Sequence, residues 1–202
     1  MNLYETQYAA LHFERAGLFR AIWDKYHCKD VLYPGCSVHI TPSLYFPHVV
    51  YIDQNEAAAK FFANEKSVLE FINRNKYYKR SAYIRFIRQD YSRSLPLMEG
   101  KFDLLLSLFA GGIARSCARY LKIGGFLLTN NHQGDALDAA NDQNLKLTAV
   151  VLFQKGSYSI VEDGLSEIRI PGHKSNDKYL KQADQGVEYI ENEIYYVFER
   201  LR

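Results

Sequence analysis

The chain has 202 residues, 48% of them hydrophobic, which suits one soluble domain with a substantial core. Its 25 basic and 23 acidic residues nearly balance, so no global electrostatic grip on nucleic acid is encoded. Three cysteines without a CxxC pair fit a reducing cytosol better than a disulfide scaffold and argue against a cysteine zinc site. No apolar run approaches the length of a membrane span.

In chain order, residues 5–27 carry Leu11, Leu18, Phe19, Ile22 and Trp23 at helical spacing. Val31–Tyr33 reads as a short buried strand ended by Pro34-Gly35, and Val49–Ile52 as another. Asn55 can cap a helix through about Asn64, and 65–79 reads as a second helix with Val68, Leu69, Phe71 and Ile72 on its apolar face. Tyr83–Ile87 makes a third strand leading to Asp90. Phe102–Phe109, a largely apolar stretch, reads as a central parallel strand buried on both faces. A helix over 113–121 follows, then a turn at Gly124-Gly125, a strand at 126–129 and a short helix at 134–142. Leu147–Phe153 and Ile194–Leu201 are the last strands, expected to form an antiparallel edge, with a glycine- and charge-rich excursion at 156–186 between them. The alternation predicts one three-layer α/β/α domain over 1–202 with a mostly parallel sheet.

In such sheets ligands sit beyond the carboxyl ends of the strands, where the strand order reverses. Gly35 permits a tight turn out of the first strand, and Asp53 follows 18 residues later, where a carboxylate can accept from both ribose hydroxyls. Asp53 equally suits a strand-ending turn or a helix cap, and Asp90 suits either a base amine or plain surface. Ser107 and its neighbours leave room for a ligand after the fourth strand, or simply connect strand to helix. The polar run TNNHQGD (129–135) after a buried strand offers Asn130, Asn131 and His132 as catalytic or orienting groups, with a polar turn as the plain alternative. His39 is a further candidate base. RNKYYKR (74–80) with Arg85, Arg88 and Arg93 mixes charge and aromatics in a way that could hold phosphates, though surface helices are often basic.

The order of these segments resembles the class I S-adenosylmethionine-dependent methyltransferases, over residues 11–202. That resemblance implies a Rossmann-like, seven-stranded sheet with an antiparallel last strand. The family's acid and three alternating glycines fall on Tyr33, Gly35, Ser37 and His39, so one glycine remains. Asp53 falls on the ribose-binding acid and Asp90 on the adenine contact. FDLLLSLFAG (102–111), YLKIGGFLLTNN (120–131) and IYYVFERL (194–201) match the fourth-strand, fifth-strand and last-strand segments. The resemblance implies S-adenosyl-L-methionine as cofactor, held by Tyr33, Gly35, Ser37, His39, Asp53, Asp90 and Ser107. It implies a small-molecule or protein acceptor in preference to nucleic acid, because the chain has neither an Asn/Asp-Pro-Pro-aromatic tetrad nor a Pro-Cys pair. A nicotinamide enzyme would need GxGxxG after the first strand, which is absent. A ligand-binding or protein-interaction module without catalysis is the alternative that the altered first turn admits.

Overall fold

The computed structural model describes residues 2–172, 180–183, 186–189 and 194–202. Among the described residues ten strands follow in chain order: β1 (Asp30–Pro34), β2 (His48–Ile52), β3 (Tyr83–Ile87), β4 (Phe102–Ser107), β5 (Leu121–Thr129), β6 (Leu145–Gln154), β7 (Ser157–Val161), β8 (Leu180–Ala183), β9 (Gly186–Tyr189) and β10 (Ile194–Arg200). Eight of them build one sheet in the order β3-β2-β1-β4-β5-β10-β6-β7, while β8 and β9 pair as a separate hairpin. β1 to β5 run parallel, and β10 is antiparallel to both β5 and β6. The order reverses between β1 and β4, which fixes where a ligand crevice opens.

Among the described residues seven α-helices flank the sheet: α1 (Asn2–Tyr4, widening into a π turn at Glu5–Ala9), α2 (Ala16–Tyr26), α3 (Pro42–Tyr45), α4 (Glu56–Ala63), α5 (Glu65–Asn75), α6 (Ile113–Cys117) and α7 (Asp135–Asn141). Successive strand residues point to opposite faces. In β1, Val31 and Tyr33 join the core with α2, α4 and α5, while Leu32 joins the core with α6 and α7. β4 divides the same way, with Leu104 and Leu106 on the first side and Leu105 on the second. This two-sided burial is why the central strands read as unbroken apolar runs. Asn55 caps α4 by accepting from the Ala57 N–H at 2.7 Å.

Several expected boundaries move. The helix expected over 5–27 is broken between Ala9 and Ala16, where His12 and Arg15 take left-handed backbone with φ of 55° and 52°. The cause is tertiary: the Arg15 side chain turns inward and its Nε donates to the Tyr195 hydroxyl at 2.8 Å. The helix expected over 65–79 ends at Asn75, where Lys76 folds back to donate to the Arg80 carbonyl at 2.5 Å. The helix over 113–121 is α6 plus a 3-10 turn at Ala118–Tyr120, and the strand expected at 126–129 starts at Leu121. Ile194–Arg200 is antiparallel as expected but lies inside the sheet. The edge is β7, an added strand within the 156–186 excursion. Residues 173–179 and 184–185 of that excursion lie outside the described residues. Cys28, Cys36 and Cys117 are all free and buried.

Candidate functional site

The turn after β1 is built around Gly35, whose φ is +65°. A Cβ there would stand 2.9 Å from the Ala110 Cβ, so the loops after β1 and β4 meet in a contact that only glycine permits. The Gly35 N–H donates to the Ile52 carbonyl at 2.8 Å, tying this turn to the end of β2. Two residues on, Ser37 also adopts left-handed backbone, with φ of 49°. Its N–H donates to Asp53 Oδ2 at 2.7 Å, and the Asn55 N–H donates to Asp53 Oδ1 at 2.8 Å. Asp53 therefore joins the first turn to the cap of α4, and each of its oxygens keeps one further lone pair.

Tyr33 lies in β1 and His39 in the segment that follows it. The Tyr33 hydroxyl lies 3.0 Å from His39 Nδ1, and His39 Nε2 lies 3.1 Å from the Glu14 carbonyl. A carbonyl only accepts, so this network assigns the His39 proton to Nε2 and makes Tyr33 the donor to Nδ1. Burial, aided by the nearby Arg15 charge, lowers the His39 pKa to about 3 and keeps the ring neutral. Burial raises the Tyr33 pKa well above its ordinary value. The Tyr8 ring, carried on the π turn, stacks on His39 with centroids 4.4 Å apart and planes 6° apart. Tyr33, His39 and Tyr8 thus pack together beside the end of β1.

Beside this group opens a cavity of about 500 Å³ at the carboxyl ends of β1, β4 and β5. Tyr33, Gly35, Ser37, His39 and His132 line it, so the structure brings together five of the residues singled out by sequence. Arg15, Phe13, Phe109 and Tyr8 complete much of the wall, and no carboxylate contributes to it. Arg15 is 6% exposed, lies 4.3 Å over the Phe109 ring, and donates from Nη1 to the Phe13 carbonyl at 2.9 Å. His132 faces Phe109 with centroids 5.9 Å apart. Its Nδ1 is buried with no partner among the described residues, and burial lowers its pKa.

The remaining candidates lie around the cavity. Asp53 reaches the cavity wall through Ser37. Asp90 follows β3 and is not among the residues lining the cavity; its Oδ1 accepts from the Ser92 N–H at 2.9 Å, which lowers its pKa, and its Oδ2 lies 3.9 Å from Arg93 Nε. Ser107 is fully buried beneath the site, its hydroxyl 3.5 Å from the Ala110 carbonyl. Asn130 Oδ1 accepts from the Phe109 N–H at 3.2 Å, holding a residue whose φ is +56°. Asn131 accepts from the Leu137 N–H at 3.2 Å and donates to the Pro171 carbonyl at 3.0 Å. Both amides are engaged with backbone and shape the loops.

Three residues of consequence carried little sequence signal. Arg15 falls inside a stretch of helical spacing, and its partner Tyr195 is 180 positions away. Phe109 is hidden in an apolar run. Asp135, fully buried, accepts from the Ala114 N–H at 2.9 Å and the Thr129 hydroxyl at 3.3 Å, with Ser107 a further donor. Burial raises its pKa against those bonds, and it locks the ends of β4 and β5 to α6 and α7. The polar run 129–135 contained it without marking it.

The chain matches no family model and no curated protein sequence. Solved structures match it over nearly their whole length. The N-methyltransferase NodS from Bradyrhizobium japonicum superposes with a TM-score of 0.55 at 12% identity, covering 96% of this chain and 98% of that one. The same enzyme in complex with S-adenosyl-L-homocysteine gives 0.53 at 11% identity, covering 94% and 87%. A methyltransferase from Thermotoga maritima, described as dependent on S-adenosylmethionine, gives 0.53 at 12% identity, covering 100% and 95%. Identities this low speak to architecture, and they agree with the strand order and the antiparallel β10. The chain has the Rossmann-like fold of the class I S-adenosylmethionine-dependent methyltransferases.

Proposed function

We propose that this chain binds S-adenosylmethionine at the carboxyl ends of β1, β2 and β4 and methylates a small-molecule or protein acceptor. The observation that carries the reading is the cavity of about 500 Å³ at the strand-order reversal, floored by the Gly35 turn with the Asp53 carboxylate bonded behind it. The donor set fits the cofactor. Asp53 keeps two lone pairs for ribose hydroxyls, while an amine reaching Asp90 would share its Oδ2 with Arg93, whose Nε lies 3.9 Å away. The Arg15 cation and the Tyr8 hydroxyl suit an amino-acid carboxylate in a wall free of acids.

When bound, the cofactor supplies an electrophilic methyl on a sulfonium, so catalysis rests largely on placement. Phe13 and Phe109 exclude water from the cavity. His132, neutral and with an unpartnered Nδ1, takes the proton of an acceptor that must lose one. Asn130 and Asn131 hold the loops that present Phe109 and His132. A nucleic-acid acceptor is disfavoured because the basic run 74–80 follows α5 to the amino end of β3, at the rim opposite the cavity. Among the described residues no helix is long and apolar enough to cross a membrane. A cytoplasmic setting is part of the proposal. The test is radiolabelled S-adenosylmethionine incubated with an acceptor panel, read as S-adenosylhomocysteine formed.

One observation favours a second reading, a binding module without turnover. The Gly35 turn is pressed against Ala110, and the Tyr91 hydroxyl closes over it by donating to the Gly111 carbonyl at 3.1 Å. Cofactor binding without turnover on any acceptor would select that reading.

A further inference from the structure

At the opposite rim of the sheet lies a second concavity of about 500 Å³, within the range of small-molecule pockets. Its origin is topological. The face of the sheet that α6 and α7 cover at β4 and β5 has no helix over β2 and β3, because the 88–101 link contains none. Val50, Phe102 and Leu97 form its apolar floor near the amino ends of the strands. Tyr83 and Met98 flank it and remain 53% and 74% exposed, an apolar surface of the kind that marks binding sites.

Arg85 and Lys101 outnumber Asp30 among the charged side chains that line this concavity. Arg85, level with Val50 in the sheet, and Lys101, just before β4, are exposed, and neither has a partner among the described residues. The one acid in the lining, Asp30, is engaged by His48 Nδ1 at 3.2 Å. We propose that this concavity is a second ligand site, for a small molecule with a flat apolar body and one anionic group such as an aryl carboxylate or sulfonate. The body covers the Val50–Phe102–Leu97 floor against Tyr83, and Arg85 and Lys101 hold the anion. The site is separate from the cavity at the carboxyl ends and stands whether or not that cavity takes S-adenosylmethionine.

The probe is 2-naphthoate, titrated into the full chain with amide chemical shifts as the readout and S-adenosylhomocysteine present in excess. Saturable shifts centred on Val50, Arg85 and Phe102 are expected. The double variant R85E/K101E, confined to exposed side chains, should weaken binding at least about tenfold, the effect of reversing the charges that face an anion. L97W, which fills the floor and leaves the charges in place, should abolish binding. Shifts confined to the other cavity, equal affinity in both variants, or sedimentation showing this face buried between two copies would overturn the proposal.

Discussion

The Tyr33 hydroxyl donates to His39 Nδ1 at 3.0 Å, so a tyrosine of β1 and a histidine of the segment after it satisfy each other in one buried hydrogen bond. The His39 ring is held between this hydroxyl and the Tyr8 ring, which stacks upon it. Removing the hydroxyl leaves a buried ring nitrogen without its donor. Tyr33→Phe is expected to destabilise the fold by about 1–3 kcal/mol in urea unfolding. Paired with His39→Ala, the double-mutant cycle should show coupling of at least about 0.5 kcal/mol, and additive losses would contradict the pairing.

The same histidine gives a pH signature. Its folded pKa is lowered from 6.5 to about 3, so below pH 6.5 the unfolded chain binds a proton that the folded chain refuses. This contribution to stability is fully present above pH 6.5 and is lost as pH falls toward 3. The slope reaches about 1.4 kcal/mol per pH unit at most. His39→Gln should flatten the profile between about pH 6 and 5, above the usual carboxylate range. An unchanged slope would show that the ring is protonated in the fold.

Asp135 is expected to behave as a joint between loops. Asp135→Ala strands the Ala114 N–H and the Thr129 hydroxyl, and should cost about 2–4 kcal/mol. Asp135→Asn should retain most stability, because its Oδ1 still accepts from Ala114 and the hydroxyls of Thr129 and Ser107 can turn to accept from its amide. Thermal unfolding of the two variants separates these outcomes. Equal losses would show that the charge itself is required.

At the cavity, His132→Ala should lower turnover by roughly 10²–10⁴-fold on an acceptor that must be deprotonated, with cofactor affinity unchanged. Single-turnover methyl transfer and S-adenosylhomocysteine titration check the two halves. A loss in affinity alone would make His132 a binding group.

Much of the architecture was legible because buried parallel strands announce themselves as apolar runs. β1, β2 and β4 fall close to where their residues placed them, and Gly35 and Asp53 do lie together, joined through Ser37. The interrupted first helix was not legible, since its break is enforced by a bond from Arg15 to a strand at the other end of the chain. β7 was missed for a related reason: Ser157–Val161 is an edge strand whose polar residues face solvent, and its pairing with β6 is set by a hairpin the composition only hints at. In the site, the sequence offered Asn130 and Asn131 either as chemical groups or as part of a polar turn, and their amides are seen bonded to backbone. Hydrogen-bond partners are a property of three-dimensional neighbours, and a polar run does not state them.

The most direct test is calorimetric titration with S-adenosylhomocysteine of the wild-type chain and of Asp53→Ala, with folding confirmed by circular dichroism. The account expects micromolar binding to the wild type, weakened in the variant by more than about 1 kcal/mol. Absence of binding to the wild type, or equal affinity in a folded variant, would contradict it.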